Sequence, residues 1–156
     1  MDVERSIVGT LEAWPEAPRA VLDSFPCMSA IRQAVLLAAI GDVNGFRNDG
    51  QLRKLLGWYP EARESGTTVS SHRLGYSSNR LARREVWFWA MQLITPRQPA
   101  TPFSAYYQRL RARGMTGHAA VGHLAGKVIS VLFFCLRSGR PHHPAHHARA
   151  LGLGDA

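Results

Sequence analysis

The chain has 156 residues, 46% apolar and 19% charged, with a formal net charge of +8 and a pI near 10.5. That length and composition fit a single domain with one core and exclude a disordered chain. The charge is uneven: residues 1–64 hold nine acids against seven Lys/Arg, whereas residues 65–156 hold two against twelve, which suggests a polyanionic partner.

Nearly all the cations are arginine, with lysine only at Lys54 and Lys127. Arginine suits phosphate contacts, although a GC-rich genome gives the same bias. Cys27 and Cys135 lie in apolar contexts and suggest no disulfide framework. The N-terminus has no signal-peptide pattern, and the longest apolar runs, 34–40 and 128–136, are too short to span a bilayer. A cytoplasmic protein with no membrane partner is expected.

In chain order, residues 1–24 read as an irregular or weakly helical lead-in, interrupted by Pro15 and Pro18. A turn at 25–29 precedes a helix ending at Ile40. Its stripe is Ile31, Val35, Ala38 and Ala39, widened by Leu36, Leu37 and Ile40, and Gly41 closes it. Asn48, with Gln51 three residues on, starts a short helix reaching Tyr59, with Leu52, Leu55, Leu56 and Tyr59 as its apolar stripe.

Residues 64–81, E-S-G-T-T-V-S-S-H-R-L-G-Y-S-S-N-R-L, are different in kind. A hydroxyl beside glycine, with cations in reach, is what a phosphate-handling serine requires. The ordinary reading of such a stretch is a polar surface loop. Asn79 or Ser78 then caps a helix from Arg80 to about Ile94. Arg80, Arg83 and Arg84 form its cationic edge, and Trp87, Phe88, Trp89, Met91, Leu93 and Ile94 supply core. Aromatic stacking on bases is the weaker reading of those rings.

Thr101-Pro102 is an N-cap and first-turn pair for the next helix. That helix has an apolar stripe at Phe103, Tyr106, Tyr107 and Leu110, and a cationic end at Arg109, Arg111 and Arg113 before Gly114. Cations at a helix C-terminus favour the helix dipole whether or not a ligand binds. The longest helical pattern runs from Gly117 to Arg137. Val121, Leu124, Ala125, Val128, Leu132 and Cys135 share its face, Gly122 and Gly126 offer close helix approach, and Gly139 closes it.

The tail, 142–156, holds His142, His143, His146 and His147. The i, i+4 spacing of metal ligands is present, but Pro141 and Pro144 argue against a stable helix, so a solvated tail without metal is expected. No repeats, nucleotide-binding fingerprint or convincing strand is found. The pattern gives an all-α fold, one compact domain of about five helices over residues 25–141.

Several segments, in order, resemble the C-terminal domain of the Piv-invertase-related DEDD transposases of bacterial insertion sequences. They are 24–29 (S-F-P-C-M-S), 37–46 (L-A-A-I-G-D-V-N-G-F), 51–60 (Q-L-R-K-L-L-G-W-Y-P), Glu64-Ser65-Gly66, 79–84, 106–114, Lys127 and 137–141. The resemblance covers residues 25–152. It implies a helix-hairpin-helix-like start at 24–29, where Cys27 and Ser29 replace the family's usual glycines. It also implies that Ser65 is a nucleophile forming a phosphoserine link to DNA. Arg73, Arg80, Arg83, Arg84 and Lys127 are the expected nucleic-acid contacts.

The resemblance further implies DNA and a structured guide RNA as partners, work as a homo-oligomer, and divalent metal held by an acidic, RuvC-like N-terminal domain. No such acidic constellation precedes residue 25 here. The sequence therefore reads as a truncated copy, inactive alone and with no cofactor of its own. The alternatives are a non-catalytic DNA- or RNA-binding remnant and a plain helical interaction domain, whose binding would be insensitive to salt.

Overall fold

The structure, a computed structural model, describes residues 3–65, 68–74 and 78–153; for residues 3, 4, 60–65, 68–74 and 150 it describes the backbone alone. The all-α class holds. The described residues form eight α-helices: α1 (Val3–Glu12), α2 (Glu16–Asp23), α3 (Ala30–Ile40), α4 (Asp49–Leu55), α5 (Arg80–Leu93), α6 (Pro102–Ala112), α7 (Gly117–Ser138) and α8 (Pro144–Ala150).

The middle helices start where the sequence places their caps. The Asn48, Asn79 and Thr101 side chains each accept a hydrogen bond from the third residue beyond them, satisfying N–H groups that helix geometry leaves free. Gln51 returns its side-chain carbonyl to the Arg47 N–H at 2.8 Å, one residue before the cap. Helix α4 stops at Leu55, short of the expected Tyr59, because Gly57 turns the chain at φ +80°.

Helix α7 is the centre of the molecule. Helices α2, α4, α5 and α6 and the 3₁₀ turn Val43–Gly45 pack on it, and its whole expected face is buried. By length and composition alone α7 could cross a membrane, unlike the shorter runs noted in the sequence; but 61% of that window lies inside the fold, which accounts for its apolarity. Gly126 leaves room for the Arg53 guanidinium, whose Nη2 lies 2.8 Å from where a Cβ would stand.

The lead-in is not irregular. Pro15 is the N-cap of α2 and Pro18 falls in its first turn, where a missing N–H costs nothing, so α1 and α2 both form. The tail is solvated only in part, with His143 and His146 exposed. Pro144 sits in the first turn of α8, and His142 and His147 are buried at 8% and 9% exposure. One continuous core runs from Leu11 to Leu151.

Two faces differ from the sequence reading. On α3, Leu36, Leu37 and Ile40 are buried while Ile31 and Ala38 are exposed; the buried face also takes Arg32 and Gln33. On α5 the core is Ala82, Val86, Trp89, Ala90 and Leu93, leaving Phe88 half exposed and Met91 exposed. Buried Arg32 lies 3.9 Å from Glu85, donates to Gln92 Oε1 at 2.9 Å and also donates to the Cys27 carbonyl. Trp89 Nε1 donates to the Pro26 carbonyl at 2.8 Å. The 24–29 turn between α2 and α3 is thus tied to α5. Cys27, where the resemblance expects glycine, has φ +60°, the backbone that glycine favours.

The structure adds an antiparallel hairpin, β1 (Pro60–Ser65) with β2 (Thr68–Leu74), in the stretch the sequence offered as a loop. Its strands are mostly polar, with Ala62, Val69 and Leu74 too scattered to give an apolar alternation that would mark them.

Candidate nucleic-acid interface

The hairpin grows from a fixed base. At one end of that base, Gly57 follows α4; at the other, Ser78 and Asn79 precede α5. Gly57 packs so closely here that an added Cβ would lie 2.7 Å from both Arg83 Cδ and Ser78 Oγ. The Asn79 N–H donates to the Leu55 carbonyl at 3.0 Å, and Trp58 Nε1 donates to the Arg83 carbonyl at 3.3 Å. The end of α4 and the start of α5 are therefore pinned together.

Ser65 ends β1, paired in register with Thr68. Five residue steps separate it from Pro60 at the hairpin base, roughly 16 Å along the strand. Arg73 lies on β2 opposite Glu61. The side chains of Ser65 and Arg73 lie outside the described residues, as does Gly66.

Arg80, Arg83 and Arg84 come together. With Trp58, Trp87 and His118 they line a cleft of about 430 Å³. Trp58 and Trp87 stack with centroids 5.4 Å apart and planes 12° apart. The Arg83 guanidinium sits 5.4 Å from the Trp58 centroid, and His118 is 4.8 Å from Trp87, tilted by 46°. The order Arg83–Trp58–Trp87–His118 is a ladder of cation and ring faces. Trp58 is buried, Trp87 half-buried, and Arg80, Arg84 and His118 exposed.

The electrostatics are one-signed. Among the described residues no carboxylate lines the cleft, and the first turn of α5 holds no acid. The three arginines sit at the positive end of the α5 dipole, where cations are disfavoured, so helix stability does not explain them. Glu85, the nearest acid on α5, lies 3.8 Å from Arg84 and 3.9 Å from buried Arg32. Such a site suits an anion with an aromatic part.

Lys127 does not join this cleft. It is nine residues beyond His118 on α7, about 13 Å along the axis and half a turn round. Trp58 and His118 were missed as site residues, and Trp87 was read as core. Nothing local in the sequence pairs residues 58, 87 and 118; the fold does.

Known proteins bear on this arrangement. The model of the family described as "Transposase IS116/IS110/IS902 family" matches residues 19–108, more than half of the chain. The chain is 36% identical over 138 residues to the "Insertion element IS110 uncharacterized 43.6 kDa protein" of Streptomyces coelicolor, covering 88% of this chain and 33% of that protein. It is 29% identical over 125 residues to the "Insertion element IS116 uncharacterized 44.8 kDa protein" of Streptomyces clavuligerus, covering 80% of this chain and 31% of that one. The chain spans about a third of the length of these curated relatives. The matched region contains the hairpin, the base that holds it and all three cleft arginines, and the chain belongs to the IS116/IS110/IS902 transposase family.

Proposed function

We propose that this chain is the serine-bearing, nucleic-acid-binding domain of a DNA transposase. Ser65 is the nucleophile: its hydroxyl loses a proton, its Oγ bonds to a DNA phosphorus, and the bond from phosphorus to one deoxyribose oxygen breaks. The displaced oxygen takes up a proton, leaving a phosphoserine link that a second DNA end can later attack. Arg80, Arg83 and Arg84 hold phosphates near the hairpin base, with Arg73 and Lys127 as further contacts. The partners are DNA and a structured guide RNA, engaged by an assembly of several copies.

The observation that carries this reading is the joining of three separated segments. The Gly57-Trp58 pair and the Ser78–Arg84 helix start meet around a cationic cleft, and the hairpin whose first strand ends at Ser65 is the segment that connects them. Among the described residues no three His, Cys, Asp or Glu side chains gather as a metal site. Activation of Ser65 is assigned to a separate acidic domain.

The test is strand transfer with an acidic domain supplied in trans. Ser65→Ala should abolish transfer while nucleic-acid binding survives. Transfer at the wild-type level would overturn the nucleophile. A second reading, a binding module without chemistry, is favoured by the lack, among the described residues, of any carboxylate in the cleft. It requires that no transfer occur even with wild-type Ser65.

A further inference from the structure

We infer that the cleft between α5 and the start of α7 takes one unpaired nucleotide of the nucleic-acid partner. Its base stacks on Trp87 in the place His118 now shields, and its phosphate lies on the arginine rim. This rests on the nucleic-acid reading above and goes further in naming the form of the ligand.

A duplex presents phosphates outside and base edges in its grooves; the faces of its bases are covered by their neighbours. An aromatic ring inside a cleft can meet a base face only where that base has left the stack. Here two rings lie nearly parallel, 12° apart, and Trp58 has its outer face covered by Arg83. Trp87 is the half-buried member, and the group over it is exposed His118, tilted by 46° in the first turn of α7. A ring in that position can swing aside, whereas Trp58 is locked by its Nε1–H bond to the Arg83 carbonyl. The cleft, about 430 Å³, falls within the size range of small-ligand sites.

Charge selects the rest of the ligand. Arg80 and Arg84 are exposed beside the rings, and the N-terminal ends of α5 and α7 both bring positive dipole. A nucleotide supplies an aromatic face and an anion within one unit.

The test uses the whole 156-residue chain and four fluorescent probes matched to within one phosphate: a fully paired RNA hairpin, the same hairpin with a one-nucleotide bulge, that bulge made abasic, and a single-stranded DNA oligomer. Wild type should bind the bulged hairpin about tenfold more tightly than the abasic one. Trp87→Ala should reduce that preference while leaving binding to the paired hairpin unchanged; His118→Ala, at an exposed position with little risk to folding, uncovers the Trp87 face and should keep or raise the preference. Trp87→Phe, which keeps a ring, should retain most of it. Quenching of tryptophan fluorescence by the bulged but not the abasic probe should accompany binding. Preference for the DNA oligomer over the bulge would make the source DNA; the reverse would make it RNA, and either agrees with the inference. Equal affinity for bulged and abasic probes, equal losses on paired and bulged probes in Trp87→Ala, or loss of the preference in His118→Ala would overturn it while leaving nucleic-acid binding intact. No binding to any probe at low salt would overturn both.

Discussion

Two arginine clusters sit at helix ends, and their surroundings are opposite. Arg109 and Arg111 lie in the last turn of α6, with Arg113 at its C-cap, where the dipole welcomes cations. Arg109 donates to the Gly152 carbonyl and Arg111 to the Met115 carbonyl at 2.7 Å. Arg80, Arg83 and Arg84 lie in the first turns of α5, where the dipole opposes them, around an aromatic cleft. Both clusters look alike in the sequence. The α6 cluster is structural, closing a helix and holding the C-terminal segment. The α5 cluster opposes its helix dipole, and the proposed function gives it an anionic ligand.

The largest effect expected concerns what the α6 cluster holds. Its carbonyl partner, Gly152, follows α8, and this segment packs through His147 on α8 and His142 just before it. His142 packs against both Phe25 and Phe103, with ring planes 21° and 25° apart, and its backbone N–H donates to Ser24 Oγ at 2.7 Å. The His143 N–H donates to His147 Nδ1 at 3.2 Å, so His147 Nδ1 is an acceptor and His142 Nδ1, 2.8 Å away, must donate to it. That leaves His142 Nε2 buried without a partner, and protonating it would bury an unsolvated cation. Burial, then the neighbouring His147 and His143, pushes the His142 pKa down to about 4; burial also lowers that of His147.

The neutral form therefore belongs to the fold. Its stabilisation is complete above about pH 6.5, declines as pH falls from there to about 4, and amounts to on the order of 3 kcal/mol. Urea unfolding at pH 7.5 and 4.5 should show most of this loss, and His142→Phe should remove much of the pH dependence. Equal stability at both pH values in wild type would remove the anchor from the α6 side of the comparison.

The next effect concerns how the α5 cluster is held. Gly57→Ala forces a side chain into a φ of +80° and into contact with Arg83 and Ser78. A loss of about 2 kcal/mol is expected, read by urea unfolding. Nucleic-acid affinity should fall with it at temperatures where the variant is folded, because Arg83 is displaced from Trp58. Unchanged affinity in the folded variant would separate the hairpin base from the cleft.

Helix starts and the central helix were legible in the sequence because capping and apolar periodicity are local. Asn48, Asn79, Thr101 and Gly139 did as their chemistry required. The arginines of α5 were legible as a cationic edge. What was hidden depends on distant partners. Arg32 looks like a surface residue until Glu85, Gln92 and the Cys27 carbonyl enclose it. Pro15, Pro18 and Pro144 read as breakers, yet each sits at a helix start, where proline is tolerated. The hairpin is polar on every position but a few and signals itself only through its backbone pairing. The Trp58–Trp87–His118 alignment joins three elements, so no window of sequence contains it.

The most direct measurement is affinity for duplex DNA and structured RNA across a salt series, comparing wild type with Arg80→Ala/Arg84→Ala and with Arg109→Ala. The α5 double variant should lose about tenfold or more in affinity on DNA, with a salt slope shallower by about 2, and should melt no lower than wild type. Arg109→Ala should keep affinity and slope while losing about 1 kcal/mol of stability. An α5 variant that binds as wild type does, or an Arg109 variant that loses the same affinity and slope, would contradict the assignment of the α5 cleft as the nucleic-acid site.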